Sequence, residues 1–388
     1  MRATVWTVAN ALGVVAGSGT RGELLTALLG APRRPRHVAL PADAPGAREL
    51  AADLRALGDV QVALEGPAPG PAPPSGTPAS GRPGLSDPAA VCAADPVVVT
   101  RAYEEEPGAY GGLGAAWLRA GQALVRDDLT ASDRALALLA ALPGDAAADV
   151  RDALTALAAG APWTVAGARE GRVTAMTVYE GRPDATGDPR TRALARLGDG
   201  TRLALDERGR LRTGPEAVPR LVEAVAATLA THPATALAAV GGTVVTGDRM
   251  GCAHAFSLGG VEQAAPHSGR VTALTATDGP CVYSGGADGT VRRWLPGRER
   301  GPDGGGAGDA VEGGVVARRP YPVAALHARG RALAVAWADG LVEVHDPDDT
   351  EAAVRSFRPG GAVRAVALLP DGTLAVGTDT ALVRLRPA

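Results

Sequence analysis

The 388-residue chain contains no lysine, no isoleucine and a single asparagine, Asn10. The codons of these three residues are rich in A and T, so the composition predicts a very GC-rich genome of the actinobacterial type. The absence of lysine also excludes some chemistry, because a Schiff-base enzyme needs a lysine amine and a P-loop needs a lysine to reach nucleotide phosphates. Neither kind of protein is expected here.

Aromatic residues and net charge are also scarce, at 3% of the chain and a formal charge of −3. Nucleic-acid binding depends on neutralising phosphates, and this chain has no basic excess for it, so no nucleic-acid partner is expected. The N-terminus lacks a basic stretch followed by a long apolar segment, and no apolar run of about 18 residues follows it. The sequence therefore predicts a cytoplasmic protein without a membrane segment.

The cysteines are three in number, Cys92, Cys252 and Cys281, and they are widely spaced without a CxxC pair. An odd, dispersed set is typical of a reducing compartment and argues against a disulfide framework. Cys252 and His254 form a Cys-x-His pair, with His267 and Cys281 downstream, but zinc sites use tighter paired spacings. We expect no metal and no cofactor.

The N-terminal 161 residues predict three regions. Over residues 1–65, strand patterns at 12–17, 36–40 and 60–66 alternate with helix patterns, which is the order of a small α/β unit. Residues 66–95 are dense in proline, glycine and alanine and predict a linker. Residues 96–161 predict a mostly helical segment that opens with one further strand at 95–105, and the helix starting near 131 has Thr130, Ser132 and Asp133 as candidate caps.

A glycine-rich turn interrupts the first predicted region. Gly17, Gly19 and Gly22 form GxGxxG between a predicted strand and a predicted helix, and Asp43 ends the next predicted strand. This layout is typical of a dinucleotide-binding turn and resembles the opening of Rossmann-type reductases. The alternatives are an ordinary strand–turn–helix or the turn of a further propeller blade, and the Tyr-x-x-x-Lys pair of those reductases is impossible without lysine.

From Trp163 onward the chain carries an internal repeat. The segment GRVTAMT at 171–177 recurs as GRVTALT at 269–275, with weaker copies at 234–240, 321–328 and 361–369. Strands and an aspartate-containing turn follow each copy, and a spacing of 40 to 51 residues between these aspartates is typical of β-propeller blades. The sequence predicts a mainly β C-terminal half over 162–388, a propeller of five or more blades. The repeat-turn aspartates are Asp199, Asp248, Asp288, Asp339 and Asp379.

The third copy, residues 267–294, resembles a WD repeat. His267, Ser284, Asp288 and Trp294 match the four positions at which WD-repeat proteins carry a hydrogen-bonded structural tetrad. Such a network would satisfy the demand of a buried aspartate for partners. The same residues could also be read as a Ser/His/Asp catalytic triad, but no GxSxG turn surrounds Ser284, which favours the structural interpretation.

The last copy ends after its third strand. An unpaired outer edge is a liability in a sheet. We therefore expect the fourth strand of this blade to come from upstream, at 162–168, as in WD-repeat proteins whose ring is closed by the chain ends.

The resemblance to WD-repeat proteins implies a scaffold that binds other proteins through its loops. No catalytic constellation is apparent, so a non-enzymatic interaction protein is expected, with the loop at 298–314 and the helical insertion at 215–231 as contact surfaces. Two alternatives remain: a nucleotide- or NAD(P)-binding protein that uses the GxGxxG turn, and a sensor or regulator in a bacterial signalling or defence locus.

Overall fold

The computed structural model describes residues 1–66, 84–214, 218–277, 279, 281–296, 314–349 and 351–388. These residues form two compact units. Unit 1 comprises 1–168, 358–362 and 388, and unit 2 comprises 169–357 and 363–387. Most of the predicted linker, at 67–83, and most of the predicted contact loop, at 297–313, lie outside the described residues.

The helices of the described chain are α1 (Arg2–Leu12), α2 (Arg21–Gly30), α3 (Ala47–Ala56), α4 (Pro88–Ala93), α5 (Pro96–Glu105), α6 (Leu113–Leu124), α7 (Ala131–Ala141), α8 (Ala148–Leu157) and α9 (Arg220–Thr231).

The strands are β1 (Arg36–Pro41), β2 (Val60–Glu65), β3 (Trp163–Glu170), β4 (Ala175–Tyr179), β5 (Arg182–Thr186), β6 (Thr191–Arg196), β7 (Arg202–Asp206), β8 (Leu211–Thr213), β9 (Ala236–Val240), β10 (Thr243–Gly247), β11 (Ala253–Ser257), β12 (Gly260–Ala264), β13 (Val271–Ala276), β14 (Val282–Gly286), β15 (Thr290–Trp294), β16 (Val315–Arg318), β17 (Val323–Arg329), β18 (Ala332–Trp337), β19 (Val342–His345), β20 (Arg355–Phe357), β21 (Val363–Leu368), β22 (Leu374–Thr378) and β23 (Ala381–Pro387).

The predicted strand at 12–17 is wrong. Residues 2–12 form α1 instead, which ends at Gly13 with a left-handed φ of 67°. The following segment has its backbone groups bonded by one side chain: Gln122 accepts from the N–H of Ala16 at 2.7 Å and donates to the carbonyl of Val14 at 2.7 Å. A buried side chain on α6 thus replaces the sheet partner that a strand would need.

The predicted strand at 95–105 is also wrong, because this segment is α5. Asp95 accepts hydrogen bonds from the N–H groups of Val97 and Val98, and Pro96 occupies the first turn. These N-terminal signals outweigh the β-branched run that follows them. The helices predicted elsewhere in the unit are present as α2, α3, α6, α7 and α8, and Thr130 with Asp133 forms a capping box at the start of α7.

Among the described residues 1–66 of unit 1, the strands form one parallel pair rather than the three-stranded arrangement that the sequence predicts. β1 pairs with β2, with Arg36 opposite Val60. Helices α1, α2 and α3 pack with these strands around a buried cluster that includes Val8, Leu24 and Leu50.

Unit 2 is built on a β-propeller. Its five blades have the strand orders β6–β7–β8, β9–β10–β11–β12, β13–β14–β15–β16, β17–β18–β19–β20 and β21–β22–β23–β3. The last order includes the strand that the sequence analysis expects at 162–168. A two-stranded hairpin, β4–β5, completes the ring, because β4 contacts both β21 and β6.

The innermost strands share an alanine, which we call the ring alanine. It lies one residue beyond an irregularity in the strand pairing of β6, β13, β17 and β21. The copy of the repeat at β6 was not recognised in the sequence, because the two arginines of TRALAR obscure its similarity to GRVTALT. The ring alanines are Ala175 on β4, Ala193 on β6, Ala236 on β9, Ala273 on β13, Ala325 on β17 and Ala365 on β21.

Candidate functional site

The turn between the second and third strands is the best-conserved structural feature of the blades. In four blades it contains a glycine with φ between 73° and 98°. A Cβ atom on Gly289 would lie 2.0 Å from the carbonyl oxygen of Arg319, and one on Gly251 would lie 2.1 Å from that of His267. Only glycine fits both the backbone conformation and this close approach. The glycines are Gly209, Gly251, Gly289 and Gly340.

A carboxylate accepts the backbone N–H that follows each of these glycines. In the first two turns the aspartate lies three residues before the glycine, and in the other two it lies directly before it. Each bond satisfies a donor that the turn withdraws from the sheet. The bonds run from Arg210 to Asp206 at 2.9 Å, from Cys252 to Asp248 at 2.9 Å, from Thr290 to Asp288 at 3.1 Å and from Leu341 to Asp339 at 3.3 Å.

The structure places two of the five sequence-predicted aspartates differently. Asp199 lies between β6 and β7, the first and second strands of its blade, where it accepts from the N–H of Thr201. The first strand of this blade is β6, so its turn between the second and third strands follows β7, and Asp206 is the aspartate of that turn. In the last blade the turn is shorter, and Thr378 accepts the N–H of Ala381 while Asp379 pairs with Arg364.

The predicted tetrad is a hydrogen-bonded set with three of its four members in direct contact; His267 and Ser284 are buried, and Asp288 lies at the surface. His267 Nδ1 lies 3.1 Å from Asp288 Oδ1, and His267 Nε2 lies 2.9 Å from Ser284 Oγ. Thr290 Oγ1 adds a contact of 3.1 Å to His267 Nδ1. Within the described ranges the indole N–H of Trp294 has no hydrogen bond, and Trp294 packs instead in an apolar cluster with Val271.

The electrostatics of this set favour a neutral histidine beside an ionised aspartate. Burial lowers the pKa of His267, against the opposing effect of Asp288. Burial by itself raises the pKa of the Asp288 carboxyl, but hydrogen bonds from Thr290 and the nearby His267 outweigh it and hold that pKa below its usual range. The Ser284 residue is 1% exposed. The arrangement can therefore hold a blade together but presents no accessible nucleophile.

The next blade has an arginine where this one has its histidine. Arg319 precedes Val323 by four residues, as His267 precedes Val271, and its Nη2 lies 3.4 Å from Asp339. Arg319 also lies 3.6 Å from Glu343, which accepts the indole N–H of Trp337 at 2.7 Å. This cluster was not predicted from the sequence, although the equal spacing of Arg319 and His267 before the inner strand indicates it.

The glycine-rich turn of unit 1 lacks the setting of a dinucleotide site. Gly17 and Gly19 follow α1 rather than a strand, and Gly22 lies inside α2. The side chain of Thr20 caps α2, and Glu23 accepts from the N–H of Ser18 at 2.8 Å, so a carboxylate already occupies the start of this helix. Asp43 lies in the loop after β1. We therefore derive no nucleotide chemistry from these residues.

The helical insertion is used internally. Helix α9 buries Val222, Val225 and Leu229 in a cluster with Leu205 and Val244. Residues 215–217 of the predicted insertion lie outside the described part of the chain. The buried face of α9 is therefore unavailable for a partner.

The cysteines are unpaired. Burial raises the pKa of Cys92 to about 11, so this thiol is inert at neutral pH. Among the described residues, no three His, Cys, Asp or Glu side chains are grouped to hold a metal ion. In the same ranges no helix is long and apolar enough to cross a membrane.

A cavity of about 480 Å³ runs between the inner strands of the propeller. All the ring alanines line it, together with the charged side chains Arg192, Arg196, Arg329, Arg364 and Glu180.

His327 also lines this cavity. The N–H of Leu368 on β21 donates to His327 Nδ1 at 3.1 Å, which leaves Nε2 as the protonated nitrogen of the neutral ring. Burial, with a smaller effect of Arg329, lowers the pKa of His327 to about 4.

Comparison with known proteins shows no matching family model, and no curated protein matches the chain. Solved structures match over part of it. The computationally designed Ika8 protein is 17% identical, with 56% of this chain and 71% of that chain covered and a TM-score of 0.37. The designed Ika4 protein is 21% identical, with 40% and 92% covered and a TM-score of 0.33. The β-propeller domain of Myceliophteria thermophila Cps50 (Swd1) is 12% identical, with 57% and 100% covered and a TM-score of 0.40.

Proposed function

We propose that this chain is a non-enzymatic protein-interaction scaffold, a degenerate propeller of the WD-repeat type. The contact surface is the aspartate-turn face, which we define as the end of the propeller that carries the turns at Asp206, Asp248, Asp288 and Asp339. The inner strands begin at this end, because Val271 pairs with Gly286 next to the Asp288 turn.

The observation that carries the proposal is an exposed apolar side chain on an ordered turn of this face. Met250 is 74% exposed, yet its turn is held by two backbone bonds to Asp248, at 2.8 Å and 2.9 Å. An ordered turn gives up little conformational entropy on binding, so a methionine held there is suited to contact a partner. The buried state of His267 and Ser284 supports the non-enzymatic part of the proposal.

The test compares two exposed apolar side chains of one blade. Leu258 is 92% exposed and lies between β11 and β12, at the opposite end of the blade from Met250. We expect tagged full-length wild type and Leu258→Ser to enrich the same protein from cross-linked cells of the source organism, and Met250→Ser to lose it. Equal recovery by both variants would contradict the assignment of this face, and hydrolytic turnover of a substrate panel by the purified chain would contradict the scaffold function.

A further inference from the structure

The residue before the ring alanine is a threonine in three inner strands, an arginine in two and an alanine, Ala324, in β17. In three inner strands it is a threonine whose hydroxyl bonds a backbone carbonyl: Thr174 to Thr186 at 3.1 Å, Thr235 to Gly247 at 3.1 Å and Thr272 to Gly285 at 3.0 Å. A threonine at this position thus stabilises the blade through a hydrogen bond from its hydroxyl to the backbone. In β6 and β21 the same position holds Arg192 and Arg364; Arg364 is bonded to Asp379 of its own blade, whereas Arg192 forms no ion pair with a described residue.

Arginines are concentrated around this end of the cavity. Arg192 and Arg364 line it on the two strands that flank β4. Three further arginines lie three residues before a ring alanine: Arg172 ahead of β4, Arg190 ahead of β6 and Arg270 ahead of β13. Four of these arginines lie on, or just ahead of, three consecutive inner strands at the end of the cavity that opens on the aspartate-turn face: Arg172, Arg190, Arg192 and Arg364.

Three of these arginines are exposed and form no ion pair with any described residue: Arg172, Arg190 and Arg192. The nearby carboxylates already have donors. Asp188 accepts from the N–H of Arg190 at 3.0 Å and from the hydroxyl of Thr191 at 2.9 Å, and Asp379 takes two bonds from Arg364. The guanidinium groups of Arg172, Arg190 and Arg192 are therefore unpaired among the described residues.

The other end of the cavity differs in charge. Glu180 and the exposed Arg329 both line the wall there, and Arg196 is engaged by Asp184 at 2.7 Å and by the carbonyl of Gly200 at 2.8 Å. Both ends thus have an unpaired arginine on the cavity wall, but only at the aspartate-turn end does no lining carboxylate of the described residues lie on the same wall. Guanidinium groups bind carboxylates and phosphates through paired hydrogen bonds, and a cavity of about 480 Å³ has the size of a small-molecule site.

We propose that this mouth of the central cavity binds a small multivalent oxyanion, a polycarboxylate or a phosphate ester, with Arg192 as the unpaired contact inside the cavity and Arg364, which Asp379 holds in place, beside it. Arg172 and Arg190 add positive potential at the rim. The site does not rest on the scaffold function, although both use the aspartate-turn face, because its residues line the cavity and Met250 does not.

Isothermal titration of the full-length chain with pyrophosphate and with citrate tests the site, at constant ionic strength set by chloride. We expect at least one probe to bind, and Arg192→Ala to weaken it about tenfold, the effect of losing one charge-assisted hydrogen bond. Pyrophosphate binding alone identifies a phosphate ester, and citrate binding alone identifies a polycarboxylate. Arg182→Ala is the matched control, because Arg182 is also exposed but lies at the opposite end, at the start of β5.

Three outcomes would overturn the proposal. The first is that neither probe binds the wild-type chain. The second is that Arg182→Ala weakens binding as much as Arg192→Ala, which would indicate non-specific attraction. The third is that Arg329→Ala, a variant of the other cavity end, abolishes binding while Arg192→Ala does not.

Discussion

Replacing Asp288 by alanine tests whether the buried set of the third repeat stabilises its blade. In the wild-type chain Asp288 accepts from His267 Nδ1 at 3.1 Å, from the N–H of Thr290 at 3.1 Å and from the N–H of Ser268 at 3.3 Å. Alanine leaves these donors without their acceptor. It keeps Ser284 beside His267, so the loss is confined to the aspartate side of the set.

The expected cost follows from these contacts. Each lost bond contributes about 1 kcal/mol net, but the Asp288 side chain is 18% exposed, so water replaces part of the loss. We therefore expect Asp288→Ala to destabilise the chain by about 2–3 kcal/mol, which lowers the melting temperature by about 5–10 °C for a unit of this size. Asp288→Asn keeps an acceptor oxygen and should cost less.

Urea unfolding and hydrogen exchange together provide the assay. Faster exchange should be confined to Val271–Trp294 at low urea, with a lower midpoint for the whole propeller. Asp199→Ala is the control, because Asp199 accepts only a local bond from Thr201 and should leave the midpoint unchanged. If Asp288→Ala and Asp199→Ala behaved alike, the buried set would have no stabilising role and the structural interpretation of His267 would fail.

Three further predictions concern other positions. The free energy of unfolding should fall by up to about 3 kcal/mol as the pH drops from about 6.5 toward 4. Over this range His327 takes up a proton in the unfolded chain but stays neutral in the folded chain, where its pKa is about 4. His327→Thr should flatten this slope in pH-dependent unfolding, since Thr275 at the same register accepts the N–H of Ala328; an unchanged slope would refute the assignment. Gly121→Ala should lower the melting temperature sharply, because its Cβ would lie 2.1 Å from the Trp6 ring. Gly22→Ala should instead raise stability by about 0.5–1 kcal/mol, as the site is open and helical; a loss would indicate that this glycine has a role beyond the helix.

Local patterns predicted most of the elements, and non-local contacts account for the failures. The propeller followed from repeats of hydrophobic residues and turns, each readable within one blade. The segment at 12–17 has the composition of a strand, but its backbone partner is Gln122, more than a hundred residues away. The helix at 96–105 was readable from Asp95 and Pro96, and the run of valines concealed it.

Site residues were predictable where they keep the spacing of a known repeat, and were not predictable where the same role falls to a residue at another position. His267, Ser284 and Asp288 were identified because they match a known repeat residue by residue. Asp206 was overlooked because the first inner strand of its blade, β6, does not resemble the others. Arg192 was not predictable as a site residue, because its position becomes notable only when the structure shows which residue precedes the ring alanine in each inner strand.

The blade turn has consequences for how such repeats diverge. One backbone N–H needs an acceptor, and an aspartate supplies it from either of two places relative to the glycine. A lineage can acquire the second aspartate before it loses the first, so the residue can change place without any ancestor having lacked the bond. Repeats of this kind therefore drift out of alignment while their geometry is preserved. A sequence search that allowed the aspartate either one or three residues before the turn glycine would recognise blades that a search for one fixed position does not.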